Sequence, residues 1–553
     1  MGRRLGWVGA VVILSACQGV LLEPGEPGAG PGAPGQSRPP YEPGDDPLAL
    51  PLARVWRLSP IQYERSFVAA FGASSRDASD LGPDPRRDGF DDVASQNHVD
   101  ARWVGTLHEN AAATAAEIEP DVRAAHPCVS GTNPGDACVD EIVAEYADRA
   151  FRRETSAEER AQYVALFSTV LADGNTLAES ITAVIEALAQ SPFFVYRIEL
   201  GAPRGDGTSE LDDETIASQL SYMLTDAPPD AALMADAHAG RLHDRSVVRA
   251  HAERLLETPD ALAKVTRFFD QFLGTYLLDD GPLPKEPDLY PAFTPAIQAA
   301  MQDETHRFVR RVFTSGGTVR DLFESDTTSI DDSLRAFYGW SGTASPDVPF
   351  TIPDGERAGV FMQGAVLAAR SGSAESDALH RGLFVYQELL CNDIAPPPGL
   401  DVNSLGNLLD TPDPEDTERQ RFEFLAANNP ECSSCHGLFV PLGLGLETFD
   451  ATGVHRTTQN GRTLDASGWL RGSDNDGEFA DGRELLARVG ASAQGQACFA
   501  QHWVTFAFGG ELEVPVSSAL LARLRERALA IRELVLLVVE EDAFYLRREE
   551  EEP

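Results

Sequence analysis

A chain that leaves the cytoplasm folds where thiols oxidise, so its first seventeen residues limit what its seven cysteines can become. Arg3 and Arg4 form a basic start, and Leu5 to Ile13 form an apolar run too short to span a bilayer. Leu14-Ser15-Ala16-Cys17 follows at once and resembles a lipobox, which predicts a lipoprotein signal over residues 1–17. Cleavage before Cys17 would leave its thiol to carry diacylglycerol and anchor the chain to a membrane. Gln18 follows the cysteine rather than Asp, and resemblance to known bacterial lipoprotein sorting then implies the outer membrane of the cell envelope. An ordinary signal peptide with a chance cysteine is the alternative reading. No other apolar run is long enough to span a membrane.

Residues 18–53 hold seven Gly and nine Pro among 36 positions, without a triplet period. Such a stretch buries too little apolar surface to offset its chain entropy and reads as a disordered tether. The whole chain, at 553 residues, is too long for one ordinary core. Its 45 Lys+Arg against 87 Asp+Glu leave a net charge of −42. That excludes a surface built to wrap phosphate backbones, so no nucleic-acid partner is expected.

The body reads as mainly α. Ser59-Pro60-Ile61-Gln62 offers an N-cap, a proline at the first helical position and a capping-box Gln. Thr155-Ser156-Ala157-Glu158 reads as a second capping box, and Thr258-Pro259-Asp260 opens a third helix carrying Val265, Phe268, Phe269 and Phe272. Leu520, Leu521, Leu524, Ala528, Ile531, Leu534 and Val535 predict one long amphipathic helix near the C-terminus. The end of the chain, Arg547–Pro553, reads as a solvated charge run. Strand-like alternation is scarce.

Most catalytic signatures are missing: there is no G-x-S-x-G elbow and no Walker lysine. Asp474-Asn475-Asp476-Gly477-Glu478 resembles part of a calcium loop, but Gly472 stands where the first ligand belongs. One motif carries chemistry. Cys432-Ser433-Ser434-Cys435-His436 is C-x-x-C-H, the attachment signature of c-type haem. Two thiols at this spacing reach the two vinyl groups, and the adjacent imidazole becomes the proximal iron ligand. A zinc site with a distant fourth ligand, or a disulfide between the two cysteines, would use the same residues.

With Cys17 lipidated and Cys432 and Cys435 on haem, four cysteines remain, an even number as an oxidising compartment favours. Cys128 and Cys138 frame a short Gly/Asn/Pro/Asp loop and are expected to pair. Cys391 and Cys498 would then bracket the C-x-x-C-H segment. The alternative leaves one of these two buried as a free thiol.

Several segments taken together resemble a group of exported, multi-module proteins of unknown function found in planctomycetes and myxobacteria. The first is Arg57-Leu58-Ser59 with Gly89-Phe90-Asp91-Asp92, and the second is Ala150-Phe151-Arg152-Arg153 through Phe167. The third joins Ser191–Arg197 to Leu211-Asp212-Asp213 and Leu220-Ser221-Tyr222. The fourth runs from Arg357-Ala358-Gly359-Val360 through Arg381-Gly382 and Cys432–Gly453; the last joins Asp481–Leu485 to Cys498–Phe508. The resemblance implies helical modules over 54–120, 121–190 and 191–350, a cytochrome-c-like module over 351–470 and a C-terminal helical module over 471–545.

No Met lies downstream of Cys435, so the usual cytochrome c arrangement cannot form. Met362 is the first candidate for the distal ligand, with His380, His455 and His502 behind it. The expectation is a lipid-anchored protein with one haem c, passing electrons to a partner with a basic face. A peroxidase-like haem oxidoreductase is the first alternative. The second is an envelope binding or scaffold protein, for polysaccharide, in which haem or metal is structural.

Overall fold

The computed structural model describes residues 48–549 except 74–80, 88, 92, 131–133, 279–280, 282, 354, 395–412, 414, 429 and 511–515. Residues 1–47, where a lipoprotein signal, the lipidated Cys17 and most of a tether are expected, lie outside the described residues. The fold is mainly α, with strands confined to short two- and three-stranded pairings. Among the described residues no helix is long and apolar enough to cross a membrane. The chain divides into two compact units. One is Leu48–Phe268 with Trp503–Val514 and Val535–Pro553; the other is Phe269–His502 with Pro515–Leu534.

The first unit starts sooner than its composition suggests. Leu48 is 3% exposed, Ala53 N donates to Arg548 O at 2.9 Å, and Arg548 N donates to Pro51 O at 2.8 Å. The last six residues of the stretch expected as tether are therefore part of the body. Helices α1 (Pro60–Phe71), α2 (Ala101–Ala125), α3 (Asp136–Phe151), α4 (Ala157–Ala172) and α5 (Leu177–Ala189) bury one apolar cluster around Tyr63, Phe67, Trp103, Ile142, Ile185 and Phe194. Proline opens α1 as the sequence predicts, and Ser59 N donates to Gln62 Oε1 at 3.3 Å. The box at α4 sits one residue later than the spacing from Thr155 implies. Ser156 is its N-cap, and Ser156 N donates to Glu159 Oε2 at 2.9 Å. The offset arises because Thr155 is committed elsewhere, with its N–H and hydroxyl both donating to Asp148.

Two buried ion clusters hold this unit's segments together. Strand β1 (Arg54–Arg57) pairs antiparallel with β2 (Tyr196–Glu199), while β3 (Thr208–Glu210) pairs with β4 (Leu546–Arg548). These pairings bring Arg54, Arg197 and Arg547 around Glu199 at 3.0, 2.6 and 2.7 Å. The Trp56 ring lies between two of those guanidiniums, 4.4 Å from Arg54 and 4.3 Å from Arg197. Elsewhere Asp226 accepts from Lys264 at 2.6 Å, Arg267 at 2.9 Å and Gln62 at 2.9 Å.

The second unit contains α6 (Pro295–Thr314), α7 (Gly364–Ala369), α8 (Ala378–Leu383), α9 (Glu418–Asn428), α10 (Pro430–Leu444) and α11 (Gly482–Ala491), and it takes residues 493–502 of α12 (Ala493–Ala507). Met301, Ile330, Leu334, Tyr338 and Trp340 form its clustered core. The long C-terminal helix expected from residue 520 onward is two helices, Ser518–Glu526 and Ile531–Val538. Ala528 and Leu529 between them take φ of 56° and 58°, in the left-handed region. That break frees the chain to bond with Gly317 and Val319: Val319 N donates to Leu529 O at 2.9 Å, and Ile531 N to Gly317 O at 3.1 Å. Helical periodicity runs through the break, which is why the pattern alone reads as continuous.

Candidate functional site

The C-x-x-C-H motif lies in the first two turns of α10, whose first residue is Pro430. A proline there loses no helical hydrogen bond and sets φ for the first turn. Positions 432, 435 and 436 are spaced i, i+3 and i+4, so they share one helix face. The Cys432 side chain lies outside the described residues. Cys435 and His436 are both half-buried.

What fixes α10 is its contact with α8. A Cβ built on Gly443 would stand 1.7 Å from Ala378 O, and one on Gly382 would stand 2.1 Å from Phe439 O. Backbone therefore meets backbone at both positions, and only glycine fits. Gly443→Ala is expected to lower the unit's stability by about 1–3 kcal/mol, as overpacking does, read as a drop in the urea midpoint. An unchanged midpoint would show that the helices do not meet this closely.

α8 continues into a wide turn, Phe384–Glu388, that carries Tyr386. Burial pushes the Tyr386 hydroxyl above its usual pKa, and the charges of Asp393, Asp476 and Cys435 add to that. His436 has its ring 5.4 Å from that of Phe439, and burial lowers its pKa. Among the described residues no group hydrogen-bonds to this ring. A Cβ at Gly437 would meet nothing within 4 Å, so space is open beside the motif. A thiol and an imidazole on one helix face beside open space are donors of the kind that would suit a c-type haem, with Cys435 and His436 among the residues to hold it.

The distal candidates are placed as follows. Met362 is 1% exposed, and its carbonyl accepts from Arg357 at 3.4 Å. The neighbouring Gln363 is bound to Thr305 at 2.8 Å, and Phe361 packs on Phe323 and Phe384. Met362 thus sits in a segment anchored on both sides. His380 is paired through Nδ1 with Asp377 at 2.5 Å, which raises its pKa and favours the imidazolium over a metal-binding imidazole. The His455 ring lies edge-on to Phe449 at 5.6 Å. His502 donates from Nε2 to Glu388 O at 2.8 Å.

Both disulfides are formed. Cys128 pairs with Cys138, and Cys391 pairs with Cys498 across 107 residues that include α10. Cross-linking a loop of that size restricts the unfolded chain, so Cys498→Ser is expected to cost about 2–5 kcal/mol. Thermal unfolding under non-reducing conditions checks this. The acidic loop at 474–478 has a structural job: Asp474 accepts from Ala493 N at 2.9 Å and Gln494 N at 3.0 Å, capping α12. Asp476 accepts from Ser473 N at 2.8 Å. Both carboxylates thus accept from backbone N–H groups.

Two groupings had no signal in the sequence. Glu447, 2% exposed, accepts from Ser376 Oγ at 2.5 Å and Arg456 at 3.0 Å, with Arg381 at 3.5 Å. Burial pushes its carboxyl and that of Glu418 up, each reinforced by a neighbouring carboxylate. Their partners come from positions up to 80 residues apart, which no local pattern reveals. The other grouping is an apolar cleft of about 520 Å³ walled by Leu277, Leu283, Pro284, Ala368 and Lys285. Lys285 Nζ donates to the carbonyls of Ala368, Ser371 and Gly372 at 3.0, 3.0 and 2.8 Å, which ties it to the end of α7.

Fold and site together define a mainly helical, multi-module protein whose second unit carries a C-x-x-C-H helix. Three family models match, all described as proteins of unknown function: PSD5 (DUF1595) over residues 138–199, PSD4 (DUF1592) over 211–340 and PSCyt3 (DUF1588) over 357–459. The match over 138–199 includes Ser191–Arg197, and that over 211–340 includes Leu211-Asp212-Asp213 and Leu220-Ser221-Tyr222. Comparison with curated proteins gives no match, and neither does comparison with solved structures.

Proposed function

We propose that the protein is a cell-envelope lipoprotein that carries one covalent haem c on α10 and passes electrons. The observation that carries this reading is Cys432-x-x-Cys435-His436 at the start of a helix, with open space beside it at Gly437. Cys432 and Cys435 would hold the group by thioethers and His436 would bind its iron, the group supplying a one-electron redox centre. The name PSCyt3, carried by the family model over 357–459, suits a cytochrome-like module only loosely. The export signal supports the reading as well, since this attachment is made outside the cytoplasm. With a net charge of −42, the protein's redox partner would dock through a basic face.

A second reading has one observation in its favour. His380 is paired with Asp377, and Met362 is fixed in an anchored segment. An iron left without a distal side chain would suit peroxidase-like chemistry. Spin state separates the two readings: electron transfer predicts a low-spin spectrum, and the enzyme predicts a high-spin one. Electron transfer to a basic acceptor should also slow steeply with salt, and a salt-independent rate would contradict the docking.

A further inference from the structure

The Cys391–Cys498 disulfide lies beside a histidine. The two sulfurs and one imidazole nitrogen of His502 all lie within 4.8 Å of one another. Cys498 and His502 stand at i and i+4 on α12, so one helix face presents both. We propose that reducing this disulfide opens a binding site for a thiophilic divalent cation, zinc above all, held by Cys391, Cys498 and His502.

Three features keep these donors together once the sulfur–sulfur bond is gone. Asp474 caps the start of α12 and holds that helix in place. Gln494, on the same helix, donates from Nε2 to Leu390 O at 2.7 Å and to Asn392 Oδ1 at 2.9 Å. The residues on both sides of Cys391 are thus bound to the helix that carries the other two donors. Asn392 is fixed further by its N–H to Tyr386 O at 3.0 Å and its Nδ2 to Gly472 O at 3.1 Å. Cys391 itself takes φ of 51°, a left-handed conformation that these clamps stabilise.

The dimensions suit zinc. Two thiolates about 2.3 Å from a tetrahedral ion stand about 3.7 Å apart, inside the span of the three donors. Glu388 completes the surroundings: its carbonyl accepts from His502 Nε2 at 2.8 Å, and its carboxylate lies 3.7 Å from the same nitrogen. With Nε2 held by Glu388, the imidazole is oriented and Nδ1 is the nitrogen left to bind the cation. Cys391 is half-buried, leaving a reductant some access, while Cys498 is fully buried.

The chemistry balances with a dithiol reductant. It transfers two electrons and two protons to the cystine, giving two thiols, and is itself oxidised to a cyclic disulfide. The cation then displaces the two thiol protons.

Cobalt(II) tests this, because its thiolate charge-transfer band reports sulfur ligation directly. A Cys432→Ser/Cys435→Ser protein removes the other pair of motif thiols from the measurement. After reduction that protein is expected to bind one equivalent of cobalt with a thiolate band, and before reduction none. Adding Cys498→Ser should abolish the band, and His502→Gln should weaken binding at least about tenfold. Zinc should raise the melting temperature of the reduced protein and leave that of the oxidised one unchanged. Absence of the band in folded reduced protein would overturn the proposal. So would a band that survives Cys498→Ser, or a reduced protein that unfolds and is not restored by zinc.

Discussion

Replacing Glu199 with Ala is expected to destabilise the first unit by about 3–5 kcal/mol, enough to unfold many single domains. The carboxylate is 1% exposed and faces Arg54, Arg197 and Arg547, themselves 7%, 4% and 0% exposed. Removing it leaves three guanidiniums in low dielectric with no counter-charge. The damage should spread widely, since β1, β2 and β4 all meet at this residue. Burial alone would raise the Glu199 pKa, but the three arginines outweigh it and hold the carboxyl far below the usual range. Because the folded value lies under the unfolded one, about 4.3, this stabilisation is complete above that pH and drains away as pH falls below it. Urea unfolding followed by circular dichroism between neutral and acid pH checks both points. Glu199→Gln should lower the midpoint at neutral pH and flatten its acid dependence. A loss under 1 kcal/mol for Glu199→Ala would show that the cluster is solvated and not a keystone.

The other large effect concerns the motif. With Cys432 and Cys435 both changed to Ser, covalent haem should fall to background in a host that has the attachment machinery. His436→Ala should retain far less haem, and what remains should lose the spectrum of a His-ligated iron. Neither change should unfold the second unit, because α10 is held further along by the Gly443–Ala378 and Gly382–Phe439 contacts. Circular dichroism separates loss of the cofactor from loss of fold. Haem retained in the double serine variant would mean that attachment does not use these thiols.

Local signals carried most of what could be read in advance. Proline and capping residues marked the starts of α1 and of the Pro259–Leu273 helix, and both cysteine pairs followed from count and position. The failures share a cause: each depends on a partner remote in sequence. The helix break at Ala528 and Leu529 exists because residues 317–319 bond there. Asp474 reads from sequence only as part of an acidic loop, because the α12 N–H groups it caps lie about twenty residues further on. The ion cluster at Glu199 joins residues up to 348 positions apart, and Arg547 reads from sequence as the start of a solvated tail. Of the candidate site, the motif was legible because its spacing is its chemistry. Tyr386 and the glycine contact that seats α10 were not, since they come from a segment about fifty residues earlier.

Whether α10 carries covalent haem is read from the mass of the intact protein. The secreted form lacking the lipid anchor is produced alongside haem-attachment machinery, then weighed after denaturation in acid. The expected mass is raised by one haem, and the increase is lost in the Cys432→Ser/Cys435→Ser variant. An unmodified mass from folded protein, with zinc or a disulfide at Cys432 and Cys435, would contradict it.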